Sequence, residues 1–113
     1  MSRFARRVDK SQHAIVKALR AAGAFVEPRL SRVGGGVSDL LVAYRGAWYV
    51  LELKTPGNEK KHSAAEMRKQ VAWLLGVKVV GQIAVPVVRT PVEALEAIGA
   101  PIWQVDDVKD GEI

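Results

Sequence analysis

Asp39, Glu52 and Lys54 are the residues of this 113-residue chain whose types and spacing could do chemistry. They lie in "SDLLVAYRGAWYVLELK", residues 38 to 54, two apolar runs around a short turn, otherwise composed for burial. Side chains two apart on a strand share a face, so Glu52 and Lys54 point the same way, with Trp48 and Val50 behind them and Tyr49, Leu51 and Leu53 opposite. A tight turn at Arg45 and Gly46 makes the runs antiparallel neighbours, which brings Asp39, at the start of one, beside the end of the other. Two carboxylates converging in a partly buried place repel unless a proton or a cation lies between them. A divalent ion resolves the repulsion, and a nearby ammonium can orient or activate water and stabilise charge developing on a phosphate. The three residues thus form a minimal set for metal-assisted phosphodiester hydrolysis. The simpler reading is an exposed Glu52–Lys54 pair, with Asp39 capping the loop before it.

The elements that must position these residues follow from periodicity and punctuation. Ile15, Val16, Leu19 and Ala22 recur at helical spacing, predicting a helix over residues 9–22 that ends at Gly23. "AFVEPRL" reads as a short strand with Pro28 at its edge or end, and "SRVGGGVS" as a flexible loop. "DLLVAY" and "AWYVLELK" are strands, and "TPGNEKKH" is a polar loop. Ser63 with Glu66 forms a capping box opening a helix to about Leu75, with Gly76 ending it or "GVKVVG" carrying it further. "QIAVPVV" reads as a strand. "TPVEALEAIG" is a helix capped by Thr90, with Pro91 first, Glu93 completing a second box and Gly99 following the end. The tail adds a short strand at Trp103. The order α-β-β-β-α-β-α implies an α/β layer sandwich, a mixed sheet flanked by helices, in one domain spanning 1–113 with its core over about residues 9–99.

Composition narrows the chemistry. The chain has no cysteine and two histidines far apart in sequence, which excludes thiolate sites and disfavours histidine-built zinc. A metal would be held by oxygen, hence magnesium or manganese. No apolar run is long enough to span a bilayer, and the first residues lack an apolar signal core, so a cytoplasmic setting is expected. The formal net charge is +5, unevenly spread: residues 1–38 hold eight Lys/Arg against two acids, and residues 79–113 hold two against six. Basic clusters beside the acids suit a phosphate backbone, with a merely solvated surface as the plainer account. Arg29, Arg32, Lys60, Lys61 and Arg68 are the candidate phosphate contacts, Gly34 to Gly36 would let DNA approach the backbone, and His62 adds a further polar group. Trp48, Trp73 and Trp103 read as core or dimer-interface residues.

Asp39, twelve intervening residues, then Glu52-Leu53-Lys54 resembles the PD-(D/E)XK nuclease signature. The helix ending "ALRAAG", the basic Gly-rich "RVGGGVSDLL" and "LELKTP" are similar to the VRR-NUC branch, which includes stand-alone phage nucleases. That resemblance implies a restriction-endonuclease-like fold and a Mg-dependent endodeoxyribonuclease in the cytoplasm of a bacterial or phage-infected cell. It further implies DNA as substrate, branched structures such as Holliday junctions among them, cut by a homodimer. By resemblance, Asp39, Glu52 and the Leu53 carbonyl would bind the metal, and Lys54 would act on the attacking water. Ser38 stands where the signature has proline, in the loop expected to contact DNA through Gly35 and Ser38. The family places an acid on its first helix; Asp9 either takes that role or caps the helix with Gln12. Gln70, one turn beyond Glu66, is the candidate accessory residue. A nucleic-acid-binding module that has lost its chemistry, or an interaction subunit, is the alternative.

Overall fold

A computed structural model describes residues 10–54 and 63–102. Helix α1 spans Lys10–Ala21, β1 Phe25–Glu27, a 3-10 helix Leu30–Val33, β2 Leu40–Tyr44, β3 Ala47–Leu53, α2 Ala64–Val79, β4 Val87–Val88 and α3 Pro91–Ile98. The chain is an α/β fold, with a mixed four-stranded sheet and three α-helices among the described residues. The sheet order is β1-β2-β3-β4, with β1, β2 and β3 antiparallel in sequence order and β4 parallel to β3.

Period-two alternation fixes which face is core. Register pairs Val42 with Val26 and Tyr49, and Leu40 with Leu51, so these residues share one face. Helix α1 contributes Ile15, Val16 and Leu19 to that core, and α3 contributes Ala94, Leu95 and Ile98. Burying each large aliphatic contributes roughly 1.5–3 kcal/mol, so Leu51→Ala, at a position with no exposure, would cost about 2–5 kcal/mol. The opposite face is open near the hairpin turn: Phe25, Ala43 and Trp48 align across three strands there, and Trp48 is 66% exposed. Trp48 is therefore not a core residue.

Helix ends follow the expected chemistry with one variation. Ala24 N–H donates to the Leu19 carbonyl and Gly23 N–H to that of Arg20, a Schellman closure made possible by the left-handed φ of Gly23. Ser63 and Glu66 form the full capping box. At α3, the Thr90 hydroxyl accepts from Glu93 N–H, but the Glu93 carboxylate reaches the N–H of Arg89 instead of Thr90.

Of the two ends open to helix α2, the chain takes the longer, running through Gly76 to Val79. Two other expected elements change. The strand read over "QIAVPVV" contracts to Val87–Val88, because Pro86 has only a carbonyl to offer and Gln82 adopts a left-handed φ. The segment after Pro28 forms a 3-10 turn before its glycines. Among the described residues no helix is long and apolar enough to cross a membrane.

Candidate active site

The end of the β2–β3 ladder holds the site. Asp39 N–H donates to the Leu51 carbonyl at 3.2 Å, and the Asp39 carboxylate accepts from Leu53 N–H at 2.8 Å. Asp39 thereby closes the ladder with main chain and side chain together. On an extended strand the N–H and C=O of one residue point to the same edge, so the Leu53 carbonyl looks past the end of β2 on the side of Asp39. The sequence places two acids and a carbonyl at one strand end because a two-residue turn fixes the register that joins them.

Glu52 is pinned from the other side. Its N–H donates to the Pro86 carbonyl at 3.0 Å, and Lys54 N–H donates to Val88 at 3.1 Å. Alternation turns its carboxylate away from the Leu51 core, yet the residue is only 3% exposed. Burial pushes its pKa above the ordinary carboxylate value, and the neighbouring Asp39 charge raises it further. The Ser38 hydroxyl and the Lys54 ammonium favour the ionised acid without reversing the shift. Lys54 Nζ stands 3.7 Å from Glu52 Oε2, too long for a good hydrogen bond and therefore mainly a Coulombic contact. Its side chain is 37% exposed, against 4% for that of Glu52, so the ammonium faces water while the carboxylate does not.

Ser38 is the residue whose role sequence reasoning missed. Expected to face DNA, it is fully buried. Its hydroxyl is near enough to Glu52 to favour the ionised form, but Oγ makes no well-formed hydrogen bond among the described residues. An orphaned hydroxyl beside a buried acid, with a second acid close enough to repel it, is an oxygen-rich place with crowded negative charge, which a hard divalent cation fits. Asp39, Glu52 and the Leu53 carbonyl would hold such an ion. Among the described residues no third Asp, Glu or His joins the two acids.

The glycine loop meets a helix more closely than expected. Gly36 has φ +86°, and a Cβ there would overlap the Lys69 carbonyl and stand 2.7 Å from Gln70 N. Its close approach is therefore to α2, not to DNA, and it seats the half-buried Gln70 against the loop that leads to Asp39. Gly35, at φ +69°, is exposed with free space around it. Arg32 and Arg68 are exposed. Arg29 is clamped on Glu27, Nε to Oε2 at 2.7 Å and the second guanidinium nitrogen to Oε1 at 2.9 Å. That pairing, with the Arg29 N–H, holds the Glu27 carboxyl down to about 2 and raises the Arg29 pKa. The expected roles of Asp9, Lys60, Lys61, His62 and Trp103 lie outside the described residues.

No family model matches the sequence, and no curated protein matches it significantly. Among solved structures, a protein described as "VRR_NUC domain" is similar over 80% of this chain and 91% of its own, with a TM-score of 0.51 and 21% sequence identity. The strand order that brings Asp39 to Glu52 is thus set in the fold of a VRR-NUC domain.

Proposed function

We propose that the chain is a VRR-NUC nuclease, a metal-dependent, structure-selective DNA endonuclease that hydrolyses phosphodiester bonds and takes Holliday junctions or related branched DNA. The observation that carries this reading is the meeting of Asp39 and the buried Glu52 at one strand end, with the Lys54 ammonium at their solvent side. When bound, magnesium or manganese would supply charge stabilisation at the phosphate and lower the pKa of water. The chain's own part is to hold the oxygen donors rigidly on two hydrogen-bonded strands and keep one ammonium where water can reach it. Lys54 would orient the attacking water; that oxygen would bond to phosphorus as the P–O bond to the leaving strand breaks, the water proton passing to solvent and the departing oxygen taking a proton from solvent. Gln70, held against the glycine loop, would steady the water or phosphate from α2.

A homodimer is part of the proposal, and α2 supplies its surface. Met67, Val71, Leu75 and Val79 stand at every fourth position and are 47%, 51%, 53% and 69% exposed, while none of the helix's residues is buried. A ridge at four-residue spacing packs into the equivalent ridge of a second copy at about −50°. About a two-fold axis between Val71 and Leu75, Met67 meets the partner's Val79 and Val71 meets the partner's Leu75, so the row is complementary to itself.

Cleavage of labelled four-way junction, flap, single-stranded and duplex DNA tests the activity, with magnesium, manganese or chelator, using wild type and Lys54→Ala. Metal-dependent products lost in the variant support the nuclease. Binding without cleavage in either metal would leave a DNA-binding relic of the fold.

A further inference from the structure

A second concavity lies away from the two acids. It is a cleft of about 720 Å³ between α1 and the turn after β1, lined by His13, Lys17 and Arg20 on the helix and Arg29, Ser31 and Arg32 opposite, with no acidic residue in its wall among the described residues. The cations are not equivalent. Arg29 is neutralised by Glu27, and Arg20 donates to the Val26 carbonyl at 3.2 Å while keeping its charge. Lys17 and Arg32 are exposed, and their charged side-chain groups make no hydrogen bond or ion pair among the described residues. Two uncommitted cations on facing walls, with Arg20 on the helix wall bonded to the Val26 carbonyl, form an anion-binding concavity that the catalytic reading does not use.

We infer that this cleft is a phosphate subsite that grips the DNA backbone away from the bond being cut. Resting on the DNA reading above, it adds Lys17 and Arg20 to that surface and assigns Arg29 to holding the wall. Its position favours a backbone: Arg32 is seven residues before Asp39, so the two Cα atoms are at most ~25 Å apart. At a rise of ~3.4 Å per step, that limit corresponds to no more than about seven base pairs of a duplex arm. The Glu27–Arg29 clamp serves the cleft by fixing the loop that presents Arg32. With cations and no carboxylate among its described wall residues, the cleft would bind phosphate without a divalent metal.

The test is DNA binding by fluorescence anisotropy in EDTA across a chloride series, with a labelled duplex and a four-way junction. Lys17→Gln and Arg32→Gln are combined, and Arg45→Gln, in the β2–β3 turn, removes a single charge outside the cleft; circular dichroism checks each fold. The double variant is expected to bind on the order of ten-fold more weakly and to flatten the log–log salt slope by about 2, one contact per cation. Arg45→Gln is expected to keep the wild-type slope. An unchanged slope in the double variant, or equal flattening by Arg45→Gln, would overturn the subsite even if magnesium-dependent cleavage is intact. A flattened slope in a protein that cleaves nothing would keep the subsite and remove the nuclease. Titrating dAMP at constant ionic strength separates the source of phosphate. Displacement no greater than by chloride supports a backbone site, and selective release of DNA from wild type would make the cleft a nucleotide pocket and overturn it.

Discussion

The Asp39 carboxylate accepts the Leu53 N–H at 2.8 Å, and Leu53 is the residue between Glu52 and Lys54. The bond holds one acid against the backbone of the other, so ligand placement and strand pairing are a single feature. The first prediction follows. Asp39→Asn keeps an acceptor for Leu53 N–H and should melt no lower than wild type, whereas Asp39→Ala orphans that donor and should lose about 1–2 kcal/mol in urea denaturation. Both should abolish metal-dependent cleavage. Equal destabilisation by the two variants would show that charge, not the acceptor, secures the strand end.

Glu52 makes the second prediction. Its folded pKa is raised by burial and by Asp39, so the folded state binds its proton more tightly than the unfolded chain does. Stability therefore falls as pH rises from the ordinary carboxylate value through the raised folded one, and the penalty is fully present only above that raised value. In chelator at pH 7, Glu52→Gln should raise the melting temperature by a few degrees, and below the ordinary carboxylate pKa the two proteins should melt together. Magnesium should stabilise wild type and leave Glu52→Gln unmoved. A Glu52→Gln protein that melts lower than wild type in chelator would mean the carboxylate is already compensated.

The glycine loop yields the third. Gly36→Ala meets both a left-handed backbone, costing about 1–2 kcal/mol, and overlap with the Lys69 carbonyl, which is main chain and cannot swing aside. Gly35→Ala meets only the first, with nothing near the added carbon. Chemical denaturation should rank Gly36→Ala well below Gly35→Ala, and cleavage should fall with it because Gln70 loses its seat. Similar losses in the two would remove the α2 contact as the reason for glycine at position 36.

Much of this site was legible because it is local. Asp39, Glu52 and Lys54 belong to one hairpin, and alternation plus a two-residue turn fix their faces and register without reference to distant chain. The capping boxes at Ser63 and Thr90 were legible for the same reason. Ser38 and Gly36 were not: a serine or glycine beside a turn looks the same whether it meets DNA, Glu52 or Lys69, and only long-range packing decides. Arg29 was read as a free cation because pairing with Glu27 depends on how the chain bends at Pro28. "QIAVPVV" has strand composition, but only the residues beside Glu52 and Leu53 find a partner.

The exposed row on α2 carries the last prediction. Helices of this length are marginal alone in water, and α2 buries no residue of its own, so its apolar ridge requires cover. With the second copy as that cover, Val71→Asp with Leu75→Asp places like charges at the two-fold axis and should convert a dimer to a monomer in sedimentation velocity. Because neither residue is in the core, the monomer should keep its sheet, read as unchanged strand signal in circular dichroism. Cleavage should nevertheless fall, since the helix that carries Gln70 would have lost its main support. Dimers that persist in the double variant would remove α2 as the interface and point instead to the open sheet face at Phe25 and Trp48.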